Sequence, residues 1–115
     1  MKKLLIRWII AAVAIYIAGS IISGFSVLGW QSAFIAAIIL GVLNFTIKPI
    51  VTILTLPITV LTLGLFLFVV NGITLYVLGM LLSGIEVTSL ISAIFASVVI
   101  SIVTMILSNV LGIKD

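Results

Sequence analysis

A chain of 115 residues that is 65% hydrophobic and 6% charged carries too little polar surface to cover a water-soluble globule, so it reads as an integral membrane protein without a soluble domain. With no Cys, no His and only Glu86 and Asp115 as acids, it offers no disulfide, thiolate, imidazole base or carboxylate pair, which argues against an enzyme and against a bound metal or cofactor. The net charge of +3 rests on five basic residues, whose positions bear on membrane orientation; nothing points to a nucleic-acid partner or a small-molecule substrate.

Lys2, Lys3 and Arg7 precede a charge-free run from Trp8 to Ile22. A charged start before an apolar run suits a signal peptide or a first membrane helix; Ala18-Gly19-Ser20 is a poor cleavage signal, and the helix is the expectation. Ser23 to Ser32 reads as a short interfacial loop, with Trp30 anchored at the headgroup level. A second helix is predicted from about Trp30 to Ile47, ending at Lys48-Pro49 because proline disfavours helical geometry in the residue before it. A lysine at the bilayer centre costs about 2.5–3.5 kcal/mol, whereas one at a helix end extends its amine to the headgroups, so Lys48 marks a membrane face. Ile50 to Leu56 forms a short apolar piece, and Pro57 redirects the chain into a third helix from about Ile58 to Leu82. A loop over Ser83 to Ser89 carries Glu86, and a fourth helix covers Leu90 to Leu111.

The expected fold is therefore an all-α integral membrane protein, one membrane domain over residues 1–115. Four transmembrane helices form two hairpins, about 4–47 and about 58–111, with a Pro-broken junction at 48–57. Four crossings put Lys2, Lys3, Arg7, Lys48 and Lys114 on one side and leave the opposite loops without Lys or Arg, so both termini are expected in the cytoplasm.

A shift of 60 residues lays the first hairpin on the second without a gap. Ser23-Gly24-Phe25-Ser26-Val27 falls on Ser83-Gly84-Ile85-Glu86-Val87, Tyr16 on Tyr76, Gly19 on Gly79, and Ser32-Ala33 on Ser92-Ala93. The pattern predicts two copies of one hairpin in the same orientation. Small residues at Ala33, Ala37 and Gly41, and at Ala93, Ser97 and Ser101, make matching grooves for close helix approach, within one bundle or against a second copy. Asn44, Asn71 and Asn109 must find a helix partner, a backbone group or water, as interhelical bonds or as the lining of a pore. Thr52, Thr55, Thr59, Thr62 and Thr74 are easier to accommodate, since a helical threonine can bond back to a carbonyl one turn earlier.

Through Leu43-Asn44, Ile47-Lys48-Pro49-Ile50, Thr55-Leu56-Pro57, Leu61-Thr62-Leu63-Gly64-Leu65-Phe66 and Asn71, the chain resembles the phage holin family, superfamily IV, of small four-helix bacterial membrane proteins that includes YvlD-like members. It departs where members commonly have Pro-Gly-Phe and this chain has Ser83-Gly84-Ile85. The resemblance implies no catalytic residue. It makes Asn44, Lys48, Pro49, Thr55, Pro57, Thr62, Gly64 and Asn71 a structural or junction motif. Holins accumulate in the inner membrane and open lesions that let a lytic enzyme reach the wall. The implied function is a self-associating, membrane-permeabilising protein of the bacterial inner membrane, with the bilayer and further copies of the chain as partners. The alternative is a non-conducting structural or adaptor protein of the cell envelope. A proton-coupled exporter would need an ionisable residue near mid-membrane, and no predicted span holds an acid.

Overall fold

Both inter-helix loops meet at one end of the molecule in a two-stranded antiparallel ribbon. In the computed structural model, which describes residues 2–112, the order is α1 (Lys2–Ile21), β1 (Phe25–Val27), α2 (Gly29–Phe45), α3 (Ile47–Leu54), α4 (Leu56–Leu61), α5 (Phe66–Leu81), β2 (Ile85–Val87) and α6 (Leu90–Val110). Lys114, one of the five basic residues expected on the cytoplasmic side, lies outside the described residues, as does Asp115. The ribbon pairs Phe25 with Val87, Ser26 with Glu86 and Val27 with Ile85. Outside it, the Leu28 N–H donates to the Gly84 carbonyl and the Thr88 N–H to that of Gly24, both at 2.8 Å. A shift of 60 residues maps Ser26–Glu86 onto itself and exchanges the other pairs two by two, so the ribbon has a local two-fold relation centred on Ser26 and Glu86.

The same shift relates what the helices bury. In α1 the buried set is Ile10, Ala12, Ala14, Ile15 and Ala18; in α5 it is Val70, Gly72, Thr74, Leu75 and Leu78. Ala33, Ala36 and Ala37 of α2 correspond in the same way to Ala93, Ala96 and Ser97 of α6. Small side chains on these faces let the backbones come close, which supplies the dispersion contacts that hold helices together in lipid. Phe25, Ile85, Ile15 and Leu78 fill the space beneath the ribbon, and Tyr16 stacks on Trp30 with ring centroids 4.5 Å apart. The Trp8 indole N–H donates to the Phe34 carbonyl at 2.9 Å, fixing α1 against α2.

The ribbon register makes a direct prediction. Opposed residues of an antiparallel pair have Cα atoms about 4.5–5.5 Å apart, inside the range of about 4.4–6.8 Å that a disulfide bridges. A chain carrying both Ser26→Cys and Glu86→Cys is expected to form an intramolecular disulfide under oxidation, seen as a gel shift that reductant reverses. Failure to form it while both thiols react with maleimide would show that the two loops do not pair.

Boundaries around the prolines differ from expectation. The second helix ends at Phe45, not at Lys48-Pro49, and a new helix starts at Ile47. Pro49 therefore sits in the first turn of α3, and Pro57 in the first turn of α4. First-turn N–H groups have no intrahelical acceptor, so a proline there costs nothing in hydrogen bonds. The third long helix begins at Phe66 and not at Ile58, because Leu63 (φ 57°) and Gly64 (φ 90°) turn left-handed and end α4. The Gly64 N–H returns to the Thr59 carbonyl at 2.8 Å, a helix-terminating bond that a positive φ makes possible and that glycine adopts without a Cβ clash. The junction thus runs from Thr46 to Leu65, longer than 48–57, and holds two short helices.

By length and apolarity α1 and α6 can each cross a bilayer, and α2 with α3 makes a third candidate, bent by 43°. The 16 residues of α5 rise about 24 Å at about 1.5 Å each, a little under a hydrocarbon core of about 30 Å.

Candidate functional site: a polar crevice closed at one end

Away from the ribbon the bundle opens into a crevice of about 640 Å³. α1 contributes Arg7, Ile10 and Ala11; α2 contributes Leu40 and Asn44; α3 contributes Lys48; α5 contributes Asn71, Thr74 and Leu75. One face of α6 supplies Ser97, Ser101, Thr104 and Ser108 at alternating steps of four and three, with Asn109 at its end. That spacing is one helical stripe, so a single polar face runs down the crevice wall.

Polar groups here fall into two kinds. The threonines of the junction satisfy themselves: Thr52 Oγ1 donates to the Lys48 carbonyl (2.7 Å), Thr55 to Val51 (2.8 Å), Thr59 to Thr55 (3.1 Å) and Thr62 to Ile58 (3.0 Å). Their hydroxyls therefore suit a lipid setting. Thr74, 1% exposed, does the same toward Val70, and Ser97 bonds the Ile94 carbonyl. By contrast, among the described residues the side chains of Asn44, Asn71, Asn109, Ser101, Thr104 and Ser108 make no hydrogen bond to protein and face the crevice. Two cationic side chains, Arg7 and Lys48, line the same space, and among the described residues no carboxylate does.

Depth is limited. The inner end stops at Thr74, Leu75 and Ser97, and from there to the ribbon the interior is filled by Ala12, Ile15, Ala18, Ala33, Ala36, Ala37, Leu78, Ala93 and Ala96. One bundle therefore holds a polar half-path and an apolar seal.

Of the residues singled out from sequence, the structure brings Asn44, Lys48, Asn71, Ser97 and Ser101 together at the crevice. Pro49, Thr55, Pro57, Thr62 and Gly64 shape the α3–α4 strap and do not line it. Ala33, Ala37 and Ala93 pack in the core, while a Cβ on Gly41 would meet nothing within 4 Å, so the expected groove is used along only part of its length. Sequence reasoning missed Arg7, Thr104 and Ser108 as crevice residues. The polar stripe of α6 was the available signal, but two of its members also fit a small-residue packing pattern.

A short helical bundle with outward apolar faces and a one-ended polar crevice defines a small membrane protein whose long helices pack through alanine. Residues 2–106 match the family described as mycobacterial 4 TMS phage holin, superfamily IV, and the chain belongs to that family. It is 36% identical over 103 residues to the uncharacterized membrane protein YvlD of Bacillus subtilis, spanning 89% of this chain and 87% of that one. It is 35% identical over 81 residues to the uncharacterized protein SCO3922 of Streptomyces coelicolor, 65% of each chain. No solved structure matches it significantly.

Proposed function

We propose that this chain is a holin-like protein of the bacterial inner membrane that crosses four times as two repeated hairpins, self-associates, and permeabilises the membrane between copies. The observation that carries this reading is the seal: the polar crevice ends at Thr74 and Ser97, so a single bundle offers no continuous polar path. Placement of Lys2, Lys3, Arg7 and Lys48 away from the ribbon, where Glu86 lies, supports cytoplasmic termini under the positive-inside rule. The shared burial pattern of residues 60 apart supports the repeat. The outward apolar faces of the strap, including Ile50, Ile53, Leu54 and Leu61, support its lying in lipid.

A second reading, a non-conducting structural or adaptor protein of the envelope, draws on the burial of Ala33, Ala37, Ala93 and Ser97 inside the bundle, where they are unavailable to a second copy of the chain. Dye release from liposomes separates the two. If copies must assemble, release by the purified protein is expected to rise more steeply than linearly with the protein-to-lipid ratio. Dye retention at high protein density, with the protein shown to be inserted, would reject the first reading and favour the second.

A further inference from the structure

The crevice has the chemistry of an anion site, and the apolar half of its wall narrows the choice of anion. Its lining includes the Arg7 guanidinium and the Lys48 ammonium, with the carboxamides of Asn44 and Asn109 and the Ser108 hydroxyl alongside. Those amides and that hydroxyl make no side-chain hydrogen bond within the described residues, so their donors are available to a ligand. Groups of this kind left without protein partners in a membrane bundle cost free energy unless water or a ligand meets them. A space of about 640 Å³ is far larger than a bare halide needs, at about 30 Å³ for one water molecule. An Arg and a Lys lining one crevice with amide donors suit the several acceptor oxygens of a phosphate group, which can take charge-assisted bonds from more than one cation. Beyond the polar residues, Ile10, Leu40 and Ile100 offer an apolar surface continuous with them, suited to the hydrocarbon next to a phosphate in a lipid.

We infer that the crevice is a phosphate-recognition site, with the phosphate between Arg7 and Lys48 and bonded by Asn44 and Asn109, and that its occupant is a phosphate-bearing anion: the headgroup of an anionic phospholipid or a free phosphate. The site is independent of whether copies assemble into a pore, so it stands or falls apart from the function proposed above.

The test uses the full-length protein in a mild neutral detergent, with thermal unfolding followed while phosphatidylglycerol, phosphatidylcholine or inorganic phosphate is added. Phosphatidylglycerol is expected to raise the midpoint and phosphatidylcholine to leave it within error. Arg7→Gln combined with Lys48→Gln is expected to need about thirtyfold more phosphatidylglycerol for the half-maximal shift, at about tenfold or less per cation near an anionic headgroup. Lys2→Gln with Lys3→Gln, which removes the same charge outside the crevice, should keep the wild-type response. Ser101→Leu retains both cations but fills the crevice, and is expected to abolish the shift while the protein still unfolds cooperatively. An equal shift with inorganic phosphate at matched phosphate concentration would assign the site to the soluble anion. Equal stabilisation by phosphatidylcholine, an unchanged response in the Arg7/Lys48 variant, or an equal loss in the Lys2/Lys3 variant would overturn the inference.

Discussion

Replacing Gly72 by leucine is expected to part α5 from α6 and to lower stability sharply. A Cβ on Gly72 would stand 2.5 Å from Ile94 Cγ1 and 3.0 Å from the Ile94 backbone N and Cα. A flexible side-chain tip could turn aside, but backbone cannot, so the helices themselves must separate. At the equivalent place 60 residues earlier α1 carries Ala12, fully buried, so the α1–α2 contact accommodates a methyl that the α5–α6 contact does not. Overpacking a filled interior costs about 1–3 kcal/mol; Gly72→Ala should fall within that interval, and Gly72→Leu at its upper end or above. The measurement is reversible unfolding in mild detergent, with Gly41→Leu as a control because its Cβ meets nothing within 4 Å. Equal stability of the Gly72 and Gly41 variants would show that the α5–α6 contact is looser than described.

Removing the aromatic ring beneath the ribbon is expected to be at least as damaging. Phe25 is 1% exposed and is the largest fully buried side chain of the core; its counterpart across the local two-fold is Ile85, 2% exposed. Phe25→Ala should cost about 3–5 kcal/mol and Ile85→Ala about 2–5 kcal/mol, through lost contacts and an unfilled cavity. Because Phe25 sits in the strand that pairs with β2, its loss should also slow disulfide formation between cysteines placed at 26 and 86. An effect no larger than a surface substitution, about 0.5 kcal/mol, would mean that the ribbon end is not packed as a core.

The strap between α2 and α5 shows how far residue identity reaches. Two prolines, a lysine and a run of threonines mark a break in an otherwise apolar chain, and that was legible because proline and charge act locally. The position of the break was not. Pro49 reads as a helix stop and Pro57 as the start of the third long helix, yet each occupies the first turn of a short helix, and the chain leaves helix at Thr46 and at Leu63-Gly64. A proline disfavours helix before it and fits helix after it, so sequence alone leaves a choice that neighbouring packing makes.

The ribbon was beyond local reasoning for a different reason. Three-residue strands are too short for an alternation signal, and their hydrogen bonds join residues about 60 positions apart in sequence. Repeated Ser-Gly-x-x-Val segments hinted at equivalence, but equivalence does not state contact. What the sequence determined by itself is membership in the membrane: 65% hydrophobic residues and 6% charge leave no aqueous surface, whatever the fold. Composition and charge position act one residue at a time, so they survive without coordinates. What only the tertiary structure decided is where the polar groups meet. Arg7, Asn44, Lys48, Asn71 and Asn109 come from five helices and reach one crevice because alanine faces draw the ribbon ends together and leave the opposite ends apart. That convergence is a property of how helices cross, and no spacing along the chain encodes it.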